Sequence, residues 1–286
     1  MTLTINQVLE KATSVLKEEG KTEAQLDARL LLSNVLNYNR VELIMNKDKE
    51  IDATTYEAYM KFIQLRAKGM PLQHIVGEQE FMGITFKVNE HTLIPRRETE
   101  ELVELALSLL DANEFQRVMD VGTGSGCIPI SLASLKKNVD CIGIDISKEA
   151  LKIAKYNSGI NAVDHKLTWI CSDLFESVGE EYVDRIDMLI SNPPYIKTED
   201  IDILMPEVKN FEPHTALDGG KDGLDFYRRI CAEAGKYLKS TGFIIFEIGY
   251  NQKEEVISLL EENNYIDIEC KKDLSGKDRI VYATKN

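Results

Sequence analysis

The sequence predicts an α/β protein: a doubly wound, mostly parallel seven-stranded sheet, preceded by a small all-helical N-terminal domain and a β-hairpin linker. Three observations carry that expectation. From Arg117 onward, short apolar runs alternate with helix-period segments, as in a parallel sheet with crossover helices. Up to about residue 75, apolar residues recur only at helical spacing. Between the two, the period falls to that of a strand on either side of Met82-Gly83, which suggests a hairpin. The chain therefore divides into residues 1–75, 76–95 and 96–286.

In the first segment, Thr4 and Gln7 have capping-box spacing and open a helix with Ile5, Val8, Leu9, Ala12, Val15 and Leu16 on one side. Thr22 and Gln25 repeat the box, and Leu26, Leu30, Leu31 and Val35 form a second apolar face. A short helix follows at 41–45. Another spans about 54–68, with Tyr56, Tyr59, Met60 and Ile63 inward, stopped by Gly69 and Pro71. This bundle carries no catalytic constellation and reads as a structural cap or a partner-recognition domain. After the hairpin, a helix runs to about Leu110. Strands follow at 118–121, 140–144, 167–171, 186–190, 243–248, 266–270 and 279–283, the last two antiparallel. Helices are expected over 127–135, 147–156, 223–238 and 251–262, with Pro129 tolerated in a first turn.

Composition narrows the class. The formal net charge of −14 argues against wrapping nucleic acid, which needs clustered Lys and Arg. Five cysteines without a CxxC pair argue against a disulfide framework or zinc site and for a reducing compartment. Cys141 and Cys171 lie in apolar runs and read as core. No metal site is expected. Met1-Thr2-Leu3-Thr4 lacks a signal-peptide layout, and no apolar run approaches a membrane span, so a cytoplasmic protein is expected.

Four strand ends carry polar residues. The first is Asp120, followed by the glycine-rich turn Gly122-Thr123-Gly124-Ser125-Gly126 that opens a helix. Its G-x-G-x-G spacing is not the dinucleotide G-x-G-x-x-G and fits a cofactor without phosphate, such as S-adenosylmethionine. Asp145, with Ile146, ends the next strand, 19 residues beyond Gly126. A carboxylate there can accept both ribose hydroxyls, or it can precede a helix whose cap is Ser147. Asp173 ends the third strand, where it can accept from an exocyclic amine while Leu174 and Phe175 cover a ring. The fourth end is Ser191-Asn192-Pro193-Pro194-Tyr195. Two prolines force the chain out of the sheet and hold Asn192 extended. The corner lies where open α/β sheets bind ligands.

With these residues in hand, the chain resembles the class I S-adenosylmethionine-dependent methyltransferases. More narrowly it resembles the bacterial release-factor glutamine methyltransferases of the PrmC/HemK type. The likeness rests on Leu93-Ile94-Pro95-Arg96 with Glu98-Thr99-Glu100, on 120–126, on 172–175 and on 191–195. It continues in Glu212-Pro213 with Ala216-Leu217, Gly219-Gly220 with Asp222-Gly223-Leu224, and Glu247-Ile248-Gly249. Asn-Pro-Pro-Tyr is shared with adenine-N(6) DNA methyltransferases; the whole set is specific. Two positions depart: Arg97 stands where the family usually has proline, and Leu174 where it often has an aromatic.

The resemblance implies methyl transfer to the side-chain amide of the glutamine in the Gly-Gly-Gln loop of peptide-chain release factors, with residues 1–75 as substrate-recognition domain. Cofactor contacts fall to Gly122, Thr123, Gly124, Ser125, Gly126, Asp145, Ile146, Asp173, Leu174 and Asn192. Asn192 and Pro193 would accept the amide hydrogens, and Pro194 and Tyr195 would pack against the substrate. A monomer without stable nucleic-acid or membrane binding is implied. The alternative reading is an adenine-N(6) nucleic-acid methyltransferase. A non-catalytic cofactor-binding module is disfavoured by the intact Asn-Pro-Pro-Tyr corner, and a haem-pathway oxidase by the absence of any flavin or dinucleotide fingerprint.

Overall fold

A computed structural model describes residues 3–111 and 113–286. Met1 and Thr2, part of the N-terminus read above as lacking a leader layout, lie outside the described residues. The chain forms two compact units, Met1–Gly77 with Met205–Phe211, and Glu78–Leu204 with Glu212–Asn286.

In chain order the first unit holds strand β1 (Leu3–Thr4), helices α1 (Ile5–Glu18), α2 (Ala24–Leu36) and α3 (Arg40–Met45), strand β2 (Glu50–Ile51), and helices α4 (Ala53–Ala67) and α5 (Leu72–Val76). β1 and β2 pair antiparallel. The Thr4–Gln7 capping box forms in full. The Thr22–Gln25 box does not. α2 starts at Ala24, so Gln25 sits one position too early to reach back, and no side chain caps the helix. The expected face of α2 is also shifted. Leu26 and Leu30 are exposed, and Ala24, Asp27, Ala28, Leu31 and Leu32 are buried. A carboxylate can sit on that face because Arg66 Nε donates to Asp27 Oδ2 at 2.6 Å. Arg66 Nη1 also donates to Glu207 Oε1 at 2.7 Å.

The second unit begins with the hairpin β3 (Glu78–Phe81) and β4 (Ile84–Lys87). Expected as a linker, it is instead integral to this unit. Phe81 and Phe86 meet edge to face and are buried in the same cluster as Leu102 and Val103. Helix α6 (Arg97–Leu109), strand β5 (Gln116–Val121), helix α7 (Cys127–Leu135), strand β6 (Val139–Asp145), helix α8 (Lys148–Ile160) and strands β7 (Leu167–Cys171) and β8 (Ile186–Ser191) follow. The chain then contributes helix α9 (Pro206–Phe211) to the first unit. It returns with helix α10 (Asp225–Ala234), strand β9 (Leu238–Glu247), helix α11 (Lys253–Glu262) and strands β10 (Tyr265–Lys272) and β11 (Asp278–Lys285). The helix expected over 223–238 is shorter because Leu238 is already paired in the sheet, opposite Ile186.

The seven strands are ordered β10-β11-β9-β8-β5-β6-β7. Only β11 runs against the rest, antiparallel to both β9 and β10. Side chains alternate between two cores, as a pleated strand requires. Met119, Leu189, Ile244 and Phe246 face one side with α10 and α11, and Val118, Met188, Ile190 and Ile245 face the other with α6 and α7. Cys141 is buried as expected, but Cys171 is exposed, since it closes the edge strand β7. The strand order reverses direction at β5, between β6 and β8. That switch point is where a doubly wound sheet opens a crevice at its carboxyl rim.

Candidate active site

A cleft of about 350 Å³ opens at this rim and takes in the ends of β5, β6, β7 and β8. Gly122, Gly124, Asp145, Ile146, Asp173, Leu174, Asn192, Pro193 and Pro194 all line it. Sequence-distant residues are thus brought together by the parallel register: Val121 lies opposite Ile144, and Asp120 opposite Ile190.

On one side of the cleft the backbone is left-handed at Gly122 and Gly124, with φ of 78° and 54°. A Cβ at either position would meet no atom within 4 Å. The space above the turn is therefore cleft, free for a ligand to approach the backbone closely. Asp145 is held from both oxygens. Oδ2 accepts from the Gly124 N–H and Oδ1 from the Ser147 N–H, each at 2.8 Å. Burial raises its pKa, and those two N–H groups oppose the rise. Ser147 itself caps α8 by accepting from the Ala150 N–H. The helix-cap geometry and the cleft position of Asp145 therefore coexist. Asp173 Oδ1 is paired with Arg229 Nη2 at 2.7 Å. Leu174 is buried with φ of 47°, an uncommon conformation for a branched side chain, so the turn after β7 is strained where it meets the cleft.

These groups fit S-adenosylmethionine. The turn offers open backbone rather than a phosphate cradle, and the two carboxylates can accept from hydroxyl and amine hydrogens. Thr123, Ser125 and Gly126 do not line the cleft. Thr123 Oγ1 donates to Asp120 Oδ2 at 2.6 Å, and both residues are buried. The Cβ position of Gly126 is already crowded by Ile130 at 2.9 Å and Trp169 at 3.0 Å. Phe175 does not line the cleft either; it is buried and stacks on Tyr237 at 5.1 Å.

The opposite side is the corner after β8. Ser191 Oγ anchors it by donating to the Val121 carbonyl at 2.6 Å. Asn192 Nδ2 donates to Thr99 Oγ1 at 3.1 Å, and Thr99 Oγ1 donates to Glu247 Oε2 at 2.7 Å. Burial pushes the Glu247 carboxyl up to about 7, against the opposing pull of Thr99 and Arg279. Tyr195 does not line the cleft. Its ring packs against the core, and burial raises its hydroxyl to about 12. Its carbonyl accepts from Gln252 Nε2 at 3.1 Å, which braces the corner from behind. Arg96 pairs with the buried Glu212 beside Pro213, which lines the cleft. Among the described residues there is no cluster suited to a metal ion, and no helix is long and apolar enough to cross a membrane.

Sequence reasoning did not single out Arg229 or Phe226, which also line the cleft from α10. Their signal is weak, because nothing in a charged amphipathic helix says which face meets a rim.

Known proteins resemble this chain over nearly its whole length. A model of the PrmC N-terminal domain matches residues 7–77, and one of the methyltransferase small domain matches residues 96–207. The release factor glutamine methyltransferase of Clostridium acetobutylicum is 42% identical over 98% of both chains. That of Geobacter sulfurreducens is 39% identical over 97% of this chain and 95% of its own. Among solved structures, the catalytic domain of hMettl16 in complex with an RNA hairpin superposes with a TM-score of 0.56 at 14% identity, covering 82% of this chain and 83% of that one. A methyltransferase from Pyrococcus furiosus gives 0.52 at 15% identity, covering 71% and 90%. At such identities the likeness is one of fold.

Proposed function

The chain belongs to the family of release factor glutamine methyltransferases, and from that premise we propose that it methylates the glutamine side-chain amide in the Gly-Gly-Gln motif of peptide-chain release factors, with S-adenosylmethionine as donor. The observation that carries the proposal is the meeting of two sets of residues in one cleft: Gly122, Gly124, Asp145 and Asp173 on one side, and Asn192 and Pro193 on the other.

The bound sulfonium supplies a methyl group that is already activated for transfer. The protein's task is to place a poor nucleophile, because the amide nitrogen's lone pair is delocalised into its carbonyl. Asn192 Oδ1 and the Pro193 carbonyl each accept one amide hydrogen. Two acceptors hold the nitrogen in line and favour the positive charge that develops on it. They also reject glutamate, whose carboxylate has no hydrogen to give. A dedicated base is unnecessary, since the methylated amide loses its proton to solvent. Asp145 and Asp173 would hold the cofactor by accepting from its hydroxyls and amine, and Ile146 and Leu174 would give it apolar cover. Tyr195 stiffens the corner through the Gln252 bond to its carbonyl. Residues 1–75 recognise the release factor.

The test is methyl transfer from labelled cofactor to three acceptors: a release factor, the same protein with the motif glutamine replaced, and duplex DNA. Label on the first alone is expected. Label on DNA with none on release factor would overturn the proposal.

A further inference from the structure

A carboxamide has two ends of almost the same shape and opposite polarity. For Asn192 to accept from a substrate amide, its oxygen must face the cleft; flipped, it would set donor against donor. We propose that Thr99 and Glu247 are positioning residues that fix this choice, handing polarity from a buried carboxylate through one hydroxyl to the Asn192 amide.

The hydrogen-bond inventory forces the direction. Ionised, as it is above about pH 7, Glu247 can only accept. Thr99 has one hydroxyl hydrogen, and its Oγ1 lies 2.7 Å from Glu247 Oε2, so that hydrogen goes to the carboxylate. What Thr99 then turns to Asn192, 3.1 Å away, is a lone pair. Only the NH₂ end of the carboxamide satisfies it, which leaves Oδ1 on the cleft side. Water cannot substitute in the relay, because Thr99 is 3% and Glu247 2% exposed. In so dry a setting a mismatched pair costs more than it would at the surface. The Asn192 side chain also hydrogen-bonds the Glu247 carboxyl directly, which favours the same orientation of the amide. Glu98 on α6 repels the carboxylate's charge and Arg279 of β11 attracts it, while the Tyr227 hydroxyl donates to the Glu247 carbonyl at 2.8 Å. Three elements thus meet at one amide: α6, the end of β9 and the corner after β8.

The role in catalysis rests on the function proposed above; the orientation of Asn192 does not. The test sets two substitutions against each other. Thr99→Val keeps the shape and loses the hydroxyl. Thr99→Ser keeps the hydroxyl and loses a methyl group. If Thr99 merely packs, Val is the milder change; if it relays polarity, Ser is. Expected for Thr99→Val at pH 8, where Glu247 is ionised, is a kcat for methyl transfer to release factor roughly tenfold to a hundredfold below that of the unsubstituted enzyme, the scale of a misplaced reacting group. Cofactor affinity stays within about threefold, and Thr99→Ser keeps most of the rate. Equal rates for the two variants, or Val above Ser, overturn the inference while the proposed function stands. Solvent exchange of the Asn192 side-chain NH₂, followed by NMR in protein labelled at asparagine nitrogen and assigned by its loss in Asn192→Ala, is independent of any substrate. Exchange about tenfold faster in Thr99→Val than in Thr99→Ser is expected; equal exchange overturns the inference whether or not release factor is methylated.

Discussion

Asp120 and Glu247 are the same kind of residue in two regions of one sheet. Each is fully buried near the carboxyl end of its strand, each has its carboxyl raised to about 7 by burial, and each takes a threonine hydroxyl. The difference lies in reach. Thr123 is three residues from Asp120, so that bond closes a local turn. Thr99 is 148 residues from Glu247, and its other partner, Asn192, comes from a third segment. A short-range bond shapes backbone for a ligand to approach. A long-range one holds a single side chain against alternatives. The two sides of the cleft are therefore built by different means, and substitutions should separate them.

The largest effect is expected at the acceptor corner. Asn192→Ala should lower methyl transfer by about 10²- to 10³-fold, the scale seen when one preorganised polar group is removed, with cofactor affinity within about threefold by calorimetry. A large loss of cofactor binding would erase the distinction between the two sides. The glycine turn should respond differently at its two ends. At Gly126 a Cβ meets Ile130, Trp169 and Ala154 at 2.9 to 3.1 Å in a left-handed conformation. Gly126→Ala should cost about 2 kcal/mol of stability in urea unfolding. At Gly124 a Cβ meets no protein atom. Gly124→Ala should cost about 1 kcal/mol through strain alone, and its clearer sign is cofactor affinity about tenfold lower, because the methyl enters the space the ligand needs. Equal stability losses at the two positions would contradict the cleft assigned above Gly124.

The same contrast explains what was legible in the sequence. The glycine turn, Asp145 and the Asn-Pro-Pro corner each sit in one contiguous stretch behind an apolar run, so strand period and proline chemistry locate them at a rim. The alternation of strands and helices likewise discloses the doubly wound sheet. Bonds between distant segments leave no such local trace. The buried Asp27 on α2 depends on Arg66 in α4, so periodicity misplaced the face and left Leu26 and Leu30 inward. Tyr195 and Phe175 were expected to touch ligands because they follow rim residues. Neither lines the cleft: Phe175 is buried, and Tyr195 packs, partly buried, against the core. Thr99 and Glu247 were visible as parts of a family resemblance; their joint hold on Asn192 required the fold.

The smallest effect is a pH dependence that both carboxylates share. The folded protein holds each carboxyl near 7, well above its ordinary value of 3.8 for Asp120 and 4.5 for Glu247. The folded state therefore binds more protons than the unfolded chain between those limits. Stability from each group is full below the unfolded value and is lost as pH rises through about 7. Between pH 8 and pH 6 each group should add about 1 kcal/mol to the unfolding free energy. Asp120→Asn should remove its own share of that gain, read as a smaller shift in urea midpoint between the two pH values. Glu247→Gln should remove a similar share, but it also alters the relay to Asn192, so its methyl-transfer rate should fall at both pH values. Asp120 reaches the cleft only through the turn, so Asp120→Asn, which keeps an acceptor for Thr123, should change the rate much less. Equal losses of rate in the two variants would show that reach does not separate these carboxylates; unequal losses with equal loss of pH dependence would show that burial sets their protonation and connectivity sets their role.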